Sequence, residues 1–351
     1  MSGERKMVER AEPRSYYGQP VIKEPVWTPG IPFYFFTGGV AGASAVLALA
    51  AEARGNEELA RRAWLNAFAG IAVSPPLLIA DLGRPERFLN MLRMFKITSP
   101  MSVGSWVLAA SGASTTLAAL NAQTGLFPRA GRGAKIAAGV LGMPLSTYTA
   151  ALLSNTSVPA WHEARWTLPF TFGASAAASA GAAAAVTTRP KAAAPARRLA
   201  VGGAVAEAIA AELMKQRLGE QGEPYAKGRA AAFRRVGAAA LASGAAVLSG
   251  PGSRSRAAAA VGGSLVMVGA VCARWSVFRA GFQSAADPKY TVGPQRARIE
   301  DGLARGAARA TPQEANLGDG SAFSSAEPQR RGDVDRGQPG ASRGEGRAGA
   351  R

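Results

Sequence analysis

Cysteine and histidine are almost missing from this chain. Its 351 residues hold one Cys, Cys272, and one His, His162. One cysteine closes no intrachain disulfide. An iron–sulfur cluster takes about four thiolates, and a single histidine excludes bis-histidine haem ligation. Zinc asks for about three or four N, S or O ligands, and none cluster here. No metal or haem is therefore expected in this chain. If it handles electrons, their carriers are diffusible or sit on another polypeptide. Charge is also scarce, at 18% of residues, and it is lopsided: 41 Lys and Arg against 23 Asp and Glu, a formal net charge of +18. An excess of that size often marks nucleic-acid binding. Here the cations flank long apolar runs, as they do in membrane proteins, so no nucleic-acid partner is expected.

Those runs dominate the sequence. Uncharged stretches cover residues 33–51, 63–80, 97–128, 136–161, 166–188, 236–253 and 257–273. A membrane-spanning helix needs about 20 apolar residues. An eighth segment, 199–214, is rich in Ala, Val, Ile and Leu despite Glu207 and Glu212. The fold class expected is an all-α integral membrane protein, with eight transmembrane helices in two four-helix bundles. This composition excludes a soluble globular enzyme. Ala- and Gly-rich spans such as 173–186 and 231–246 predict close helix packing, as does Gly38-Gly39-Val-Ala-Gly42 in the first span; compositional drift toward alanine is the alternative source of such stretches.

Three regions follow. Residues 1–32, with five prolines from Pro13 to Pro32, predict an extended polar arm. It is too long and too polar for an ordinary signal peptide. Residues 33–280 form the transmembrane domain. Residues 281–351 are a basic tail rich in Gly, Arg, Ser, Asp and Pro, expected to be disordered because it buries too little apolar area to offset ordering entropy. An even number of spans puts both termini on one side. That side collects 29 Lys and Arg against 12 opposite, which predicts cytoplasmic termini.

Polar groups within or beside the spans are the candidate site. Span two carries Ser74-Pro75-Pro76 and ends at Asp81. Adjacent prolines remove backbone donors, which lipid tolerates only where protein or a cavity satisfies the freed carbonyls. Ser74 and Asp81, seven residues apart, share nearly one helix face. Asp81 reads either as an interfacial acid or as a carboxylate that exchanges protons near a redox ligand. Arg84 and Arg87 beside it favour its ionised form. Residues 85–96, PERFLNMLRMFK, place Phe88, Leu89, Leu92 and Phe95 on one side, predicting a helix in the interface plane. In span four, Pro144 predicts a kink. Tyr148, one turn on, needs a hydroxyl partner, which is a neighbouring helix or a quinone carbonyl, and Asn155 shares its face. The loop that follows holds His162, Glu163 and Arg165 between Trp161 and Trp166, at headgroup depth if both indoles seek the interface.

At these residues the chain resembles the polysulfide reductase membrane-subunit family, NrfD/PsrC-like. The resemblance runs over about residues 27–280. It is carried by Trp27 with the Pro-Phe-Tyr-Phe-Phe and Gly38-Gly39 opening of span one. DLGRPERFLNMLR (Asp81–Arg93), TSPMSVGSW (Thr98–Trp106), the Pro144 to Tyr148 span and NTSVPAWHEAR (Asn155–Arg165) then follow in order. The resemblance implies a cofactor-free, eight-helix membrane anchor in a bacterial inner membrane. Such a subunit passes electrons between menaquinone or ubiquinone and an iron–sulfur ferredoxin-like subunit, which serves a molybdopterin-type catalytic subunit; proton movement coupled to this is a further expectation. It places the quinone in the half formed by residues 33–161. Tyr148 would contact the headgroup, with Tyr34, Arg84 and Asn155 as further binding residues. Asp81 would accept or deliver the proton, with His162 and Glu163 as site mouth or relay. The competing readings are an ion or proton transporter built on Asp81, Arg84 and Glu207, and a purely structural anchor.

Overall fold

A computed structural model describes residues 20–309, and side chains to residue 302. All regular structure among the described residues is helical: α1 (Gly30–Ala53), α2 (Glu57–Ala80), α3 (Pro100–Thr124), α4 (Pro128–Ser154), the short α5 (Pro159–Glu163), α6 (Leu168–Thr187), α7 (Ala194–Leu218), the short α8 (Glu223–Ala226), α9 (Gly228–Ser249), α10 (Arg256–Ala286) and α11 (Lys289–Arg309). Local chemistry sets the ends. Asn56, Ser99 and Ser255 cap α2, α3 and α10 by accepting the backbone N–H of Leu59, Ser102 and Ala258, filling one of the donors a helix start leaves open. Gly125, at φ 73°, closes α3 in the left-handed conformation that glycine adopts without strain.

Seven of these helices, α1, α2, α3, α4, α6, α9 and α10, are long and apolar enough to cross a membrane. The eighth expected span, α7, is 25 residues long but falls outside that set. Arg197, Arg198, Glu207, Glu212, Lys215 and Arg217 keep its composition polar.

The packing is helix on helix at short range. α1 lies against α2, α4, α6 and α10, while α3 touches α2 and α4. α6 packs on α7 and α10, and α9 packs mainly on α10. Small residues make these approaches possible, as the sequence predicts. A Cβ on Gly42 would collide with the carbonyl of Gly142, joining α1 to α4, and one on Gly269 would press on Gly237 and Leu241, joining α10 to α9. Backbones this close gain dispersion contacts, which replace the hydrophobic drive that lipid does not provide.

Several boundaries differ from expectation. Residues 85–92 form a 3-10 helix, and irregular backbone replaces helix over 93–96. Leu89 and Phe95 are over 60% exposed, so the apolar side predicted for this segment faces outward. Its end is tied down by the TSPMSVGSW string: the Ser102 hydroxyl and the Trp106 indole N–H both donate to the Met94 carbonyl, at 3.0 and 3.2 Å. Trp161 lies in the core instead of at the interface, stacked on Trp27 with centroids 5.3 Å apart, and its indole N–H donates to the Val277 carbonyl at 2.7 Å. The arm ends in this contact, while residues 1–19 lie outside the described residues.

The tail expected to be disordered from residue 281 begins in order. Residues 281–286 complete α10, and α11 follows. The chain divides at Arg296 into two compact units; the described part of the second is the helical stretch 297–309, and residues 310–351 lie outside the described residues. In the first unit Glu223 of α8 anchors the start of α11. It pairs with Lys227, accepts from Lys289 Nζ at 2.8 Å, and accepts from the Tyr290 hydroxyl at 2.9 Å. Those donors, Lys227 foremost, pull the Glu223 carboxyl down to about 2. A carboxyl depressed in the folded state stabilises it above the unfolded value of about 4.3 and loses that contribution as pH falls toward 2. Proteolytic protection of residues 287–296 is therefore expected to persist at pH 6 and to weaken below about pH 4, and Glu223→Gln should remove the pH dependence.

Candidate functional site

Three helices, α1, α3 and α4, bring two tyrosines together. Tyr34 on α1 is fully buried, and its phenol faces Tyr148 of α4. The Tyr34 hydroxyl has no hydrogen-bond partner of ordinary geometry. A buried unpaired hydroxyl costs about 1–3 kcal/mol, and the Tyr148 hydroxyl is the neighbour whose small shift would relieve that cost. Gly104 of α3 lies directly under the Tyr148 ring; any Cβ there would overlap the ring carbons and the hydroxyl. The glycine of the TSPMSVGSW string thus sets the position of the Tyr148 ring. Tyr148 itself is half-buried.

A polar file continues from Tyr34 along α1 and α2. The Thr37 hydroxyl reaches the Tyr34 carbonyl at 3.3 Å and shares a hydrogen bond of 2.8 Å with Ser74. Ser74 also reaches the Gly70 carbonyl at 2.8 Å. Asp81 closes α2 two turns beyond Ser74, buried to 8% exposure. One of its oxygens, Oδ1, accepts the Thr28 backbone N–H at 2.7 Å and the Thr28 hydroxyl at 2.6 Å. Ser74 and Asp81 therefore both look toward α1, as their seven-residue spacing predicts. Asp81 meets the arm and not the tyrosines, with Thr28, Thr37 and Ser74 spaced between. Pro75 and Pro76 lie inside α2, which stays helical through both.

The remaining predicted residues lie outside this file. Arg84 is exposed and engaged in contacts of its own. His162 is exposed, with Nδ1 3.2 Å from the Ser154 carbonyl. Arg165 Nη1 donates to the His162 carbonyl at 3.1 Å and pairs with Glu163 at 3.6 Å. Asn155 does not share a face with Tyr148. Its backbone, at φ −91° and ψ 49°, has already left the helix, and its side chain is exposed. Seven-residue spacing carries a shared face only while the helix lasts.

The match of residues 19–197 to the family model for polysulphide reductase, NrfD, decides the family. The chain belongs to the NrfD family. A search of curated proteins finds no match. The matched stretch is just over half of the chain and runs from the arm through α6 to the opening of α7. It thus takes in every residue of the Tyr34–Tyr148 site and of the Asp81 file. As an NrfD-family membrane subunit the chain is a multi-pass membrane protein, in keeping with an anchor role in a redox complex. Among the described residues no group of His, Cys, Asp and Glu is arranged to hold a metal ion.

Sequence reasoning missed the buried Arg274, whose charge acts on Glu207. Arg274 of α10 is 1% exposed and Glu207 of α7 is 4% exposed. Arg274 Nη2 donates to the Phe172 carbonyl at 3.0 Å, and its guanidinium lies 4.0 Å from the Phe172 ring centroid. Glu207 feels its charge and lies beside Ser175. Arg274 reads in sequence as the end of a span, because an apolar run stops there. The aromatic residues that continue it, Trp275, Phe278 and Phe282, are the signal that the helix goes on.

Proposed function

We propose that this chain is the quinone-reactive membrane anchor of a multisubunit oxidoreductase, passing electrons between a quinone pool and an iron–sulfur ferredoxin-like partner that serves a molybdopterin-type catalytic subunit. The observation that carries this reading is the buried Tyr34 hydroxyl, which faces the Tyr148 hydroxyl without a hydrogen bond of ordinary geometry, beside a floor cut to glycine at Gly104. Two phenols aimed at one place suit a ligand with carbonyl acceptors, since a phenol donates its hydrogen and is rarely ionised near neutral pH.

Menaquinone or ubiquinone would supply chemistry that moves two electrons and two protons. The Tyr148 hydroxyl donates to the headgroup and orients it. The Tyr34 hydroxyl offers a second donor. Thr37 and Ser74, hydrogen-bonded to each other, lead from Tyr34 toward Asp81, which holds or releases the proton at its carboxylate. Arg84 adds fixed positive charge near that carboxylate. Asn155, His162 and Glu163 line the exposed end, where protons exchange with water; His is suited to this by its ordinary pKa near neutrality.

Eight crossings, in two groups of four helices, are part of the same reading. Trp27 stacks on Trp161, which contacts Phe282 with centroids 6.3 Å apart. These contacts bring the segment before α1 next to the end of α10, which supports an even count of crossings with α7 as the eighth. The excess of Lys and Arg at that end favours a cytoplasmic location for both termini.

Asp81 provides the test. Asp81→Asn keeps an oxygen to accept from Thr28 but exchanges no proton. Asp81→Ala loses both. Quinol-linked turnover of the native complex is expected to fall at least tenfold in both variants, while protease protection of residues 20–29 falls only in Asp81→Ala. Normal turnover in Asp81→Asn would confine Asp81 to holding the arm.

A further inference from the structure

Between α7 and α9 runs a slot of about 360 Å³ that the quinone reading does not use. Its origin lies in where the small residues are spent. Gly203 of α7 is pressed against Ala178 of α6, and Gly237 of α9 against Gly269 and Cys272 of α10. Each helix is thereby drawn to a different neighbour. Ala204, Ala208 and Ala211 of α7, with Ala238, Ala242 and Ala245 of α9, line the gap that remains, and their methyl groups are too short to fill it. The lining along α7 extends from Ala204 to Leu218, a rise of about 21 Å. Half a bilayer with its headgroups measures about 20–22 Å.

One end of the slot is cationic. Lys215 and Arg234 form part of its lining, both exposed. Residues 215–235 hold six Lys and Arg against two Glu. Glu212, also in the lining, pairs with Lys215 at 3.5 Å, and Arg234 Nε donates to the Tyr225 carbonyl at 3.3 Å. The deepest charged group in the lining, Glu207, is answered by the Arg274 charge behind it, so an apolar chain passing it meets no uncompensated ion.

We infer that this slot holds one anionic phospholipid, with an acyl chain between α7 and α9 and its phosphate at Lys215 and Arg234. The bound lipid supplies the packing contacts that the alanines leave open and keeps water from Glu207.

The full chain, purified in its complex, is stripped with mild detergent and titrated with phosphatidylglycerol or phosphatidylcholine, and bound lipid is counted by native mass spectrometry. Wild type is expected to keep one phosphatidylglycerol and to discriminate against phosphatidylcholine. Lys215→Gln/Arg234→Gln should weaken phosphatidylglycerol roughly 30-fold, the effect of two cations at ordinary strength near an anionic lipid surface. Ala242→Phe, which fills the slot and leaves both cations, should abolish retention. Retention that is equal in wild type and both variants, or no preference over phosphatidylcholine, overturns the inference. So does a cysteine cross-link between Ala208 and Ala242 positions of two copies, which would place a second chain in the slot.

Discussion

Replacing Arg274 by methionine is expected to destabilise the fold by about 3 kcal/mol or more, read by denaturant titration in mixed micelles. Arg274 donates to the Phe172 carbonyl and acts on Glu207 through its charge without a direct ion pair; a carbonyl left unsatisfied and a buried acid left uncompensated together cost about 3 kcal/mol. Here the orphan is Glu207, 4% exposed, together with the Phe172 carbonyl that Arg274 Nη2 now satisfies. Methionine keeps much of the volume and the contact with the Phe172 ring, so the loss reports charge more than packing. Glu207→Gln/Arg274→Met should recover most of the stability, because two neutral side chains of similar size leave no buried ion. Additive losses in the double variant would mean that the two residues act independently, with Arg274 serving only Phe172.

The second large effect is expected at Tyr148. Tyr148→Phe keeps the ring on Gly104 and removes the hydroxyl. Loss of a positioned donor to an oxygen that gains charge during reaction costs about 10²-fold in rate. Quinol-linked turnover of the complex should fall by about that factor, with assembly and melting temperature nearly unchanged. Gly104→Ala should produce a comparable fall by a different route, since its methyl group would occupy the space of the Tyr148 ring and force the side chain away. A larger quinol KM in Gly104→Ala than in Tyr148→Phe would separate displacement of the headgroup from loss of the donor. Full turnover in both variants would remove Tyr148 from the site.

Much of the fold was legible because a bilayer asks for long uncharged segments, and these coincide with the centres of α1 to α4, α6, α9 and α10. What was not legible depended on contacts between residues far apart in the chain. Arg274 looks like a helix end until the Phe172 carbonyl is seen to receive it, with the Glu207 carboxyl near enough to feel its charge. The order of residues 289–296 depends on Glu223, more than 60 residues earlier, holding Lys289 and Tyr290. Trp161 looks interfacial by composition, but Trp27 covers one face and Gly281 leaves room for its indole. At the candidate site, Tyr34, Tyr148 and the Ser74–Asp81 spacing could be read from the sequence. The role of Gly104 could not, because it follows from α3 crossing α4 at that level. Asn155 misled because a seven-residue repeat was carried one residue past the end of α4.

Photoaffinity labelling tests the central claim most directly. The native complex in nanodiscs is illuminated with an azido-quinone, and the labelled peptides are sequenced. Labelling is expected on the peptides that contain Tyr34 and Tyr148, with competition by unlabelled menaquinone or ubiquinone and loss in Gly104→Ala. Labelling confined to the slot between α7 and α9, or label on the tyrosines that the natural quinone does not displace, would contradict a quinone site at Tyr34 and Tyr148.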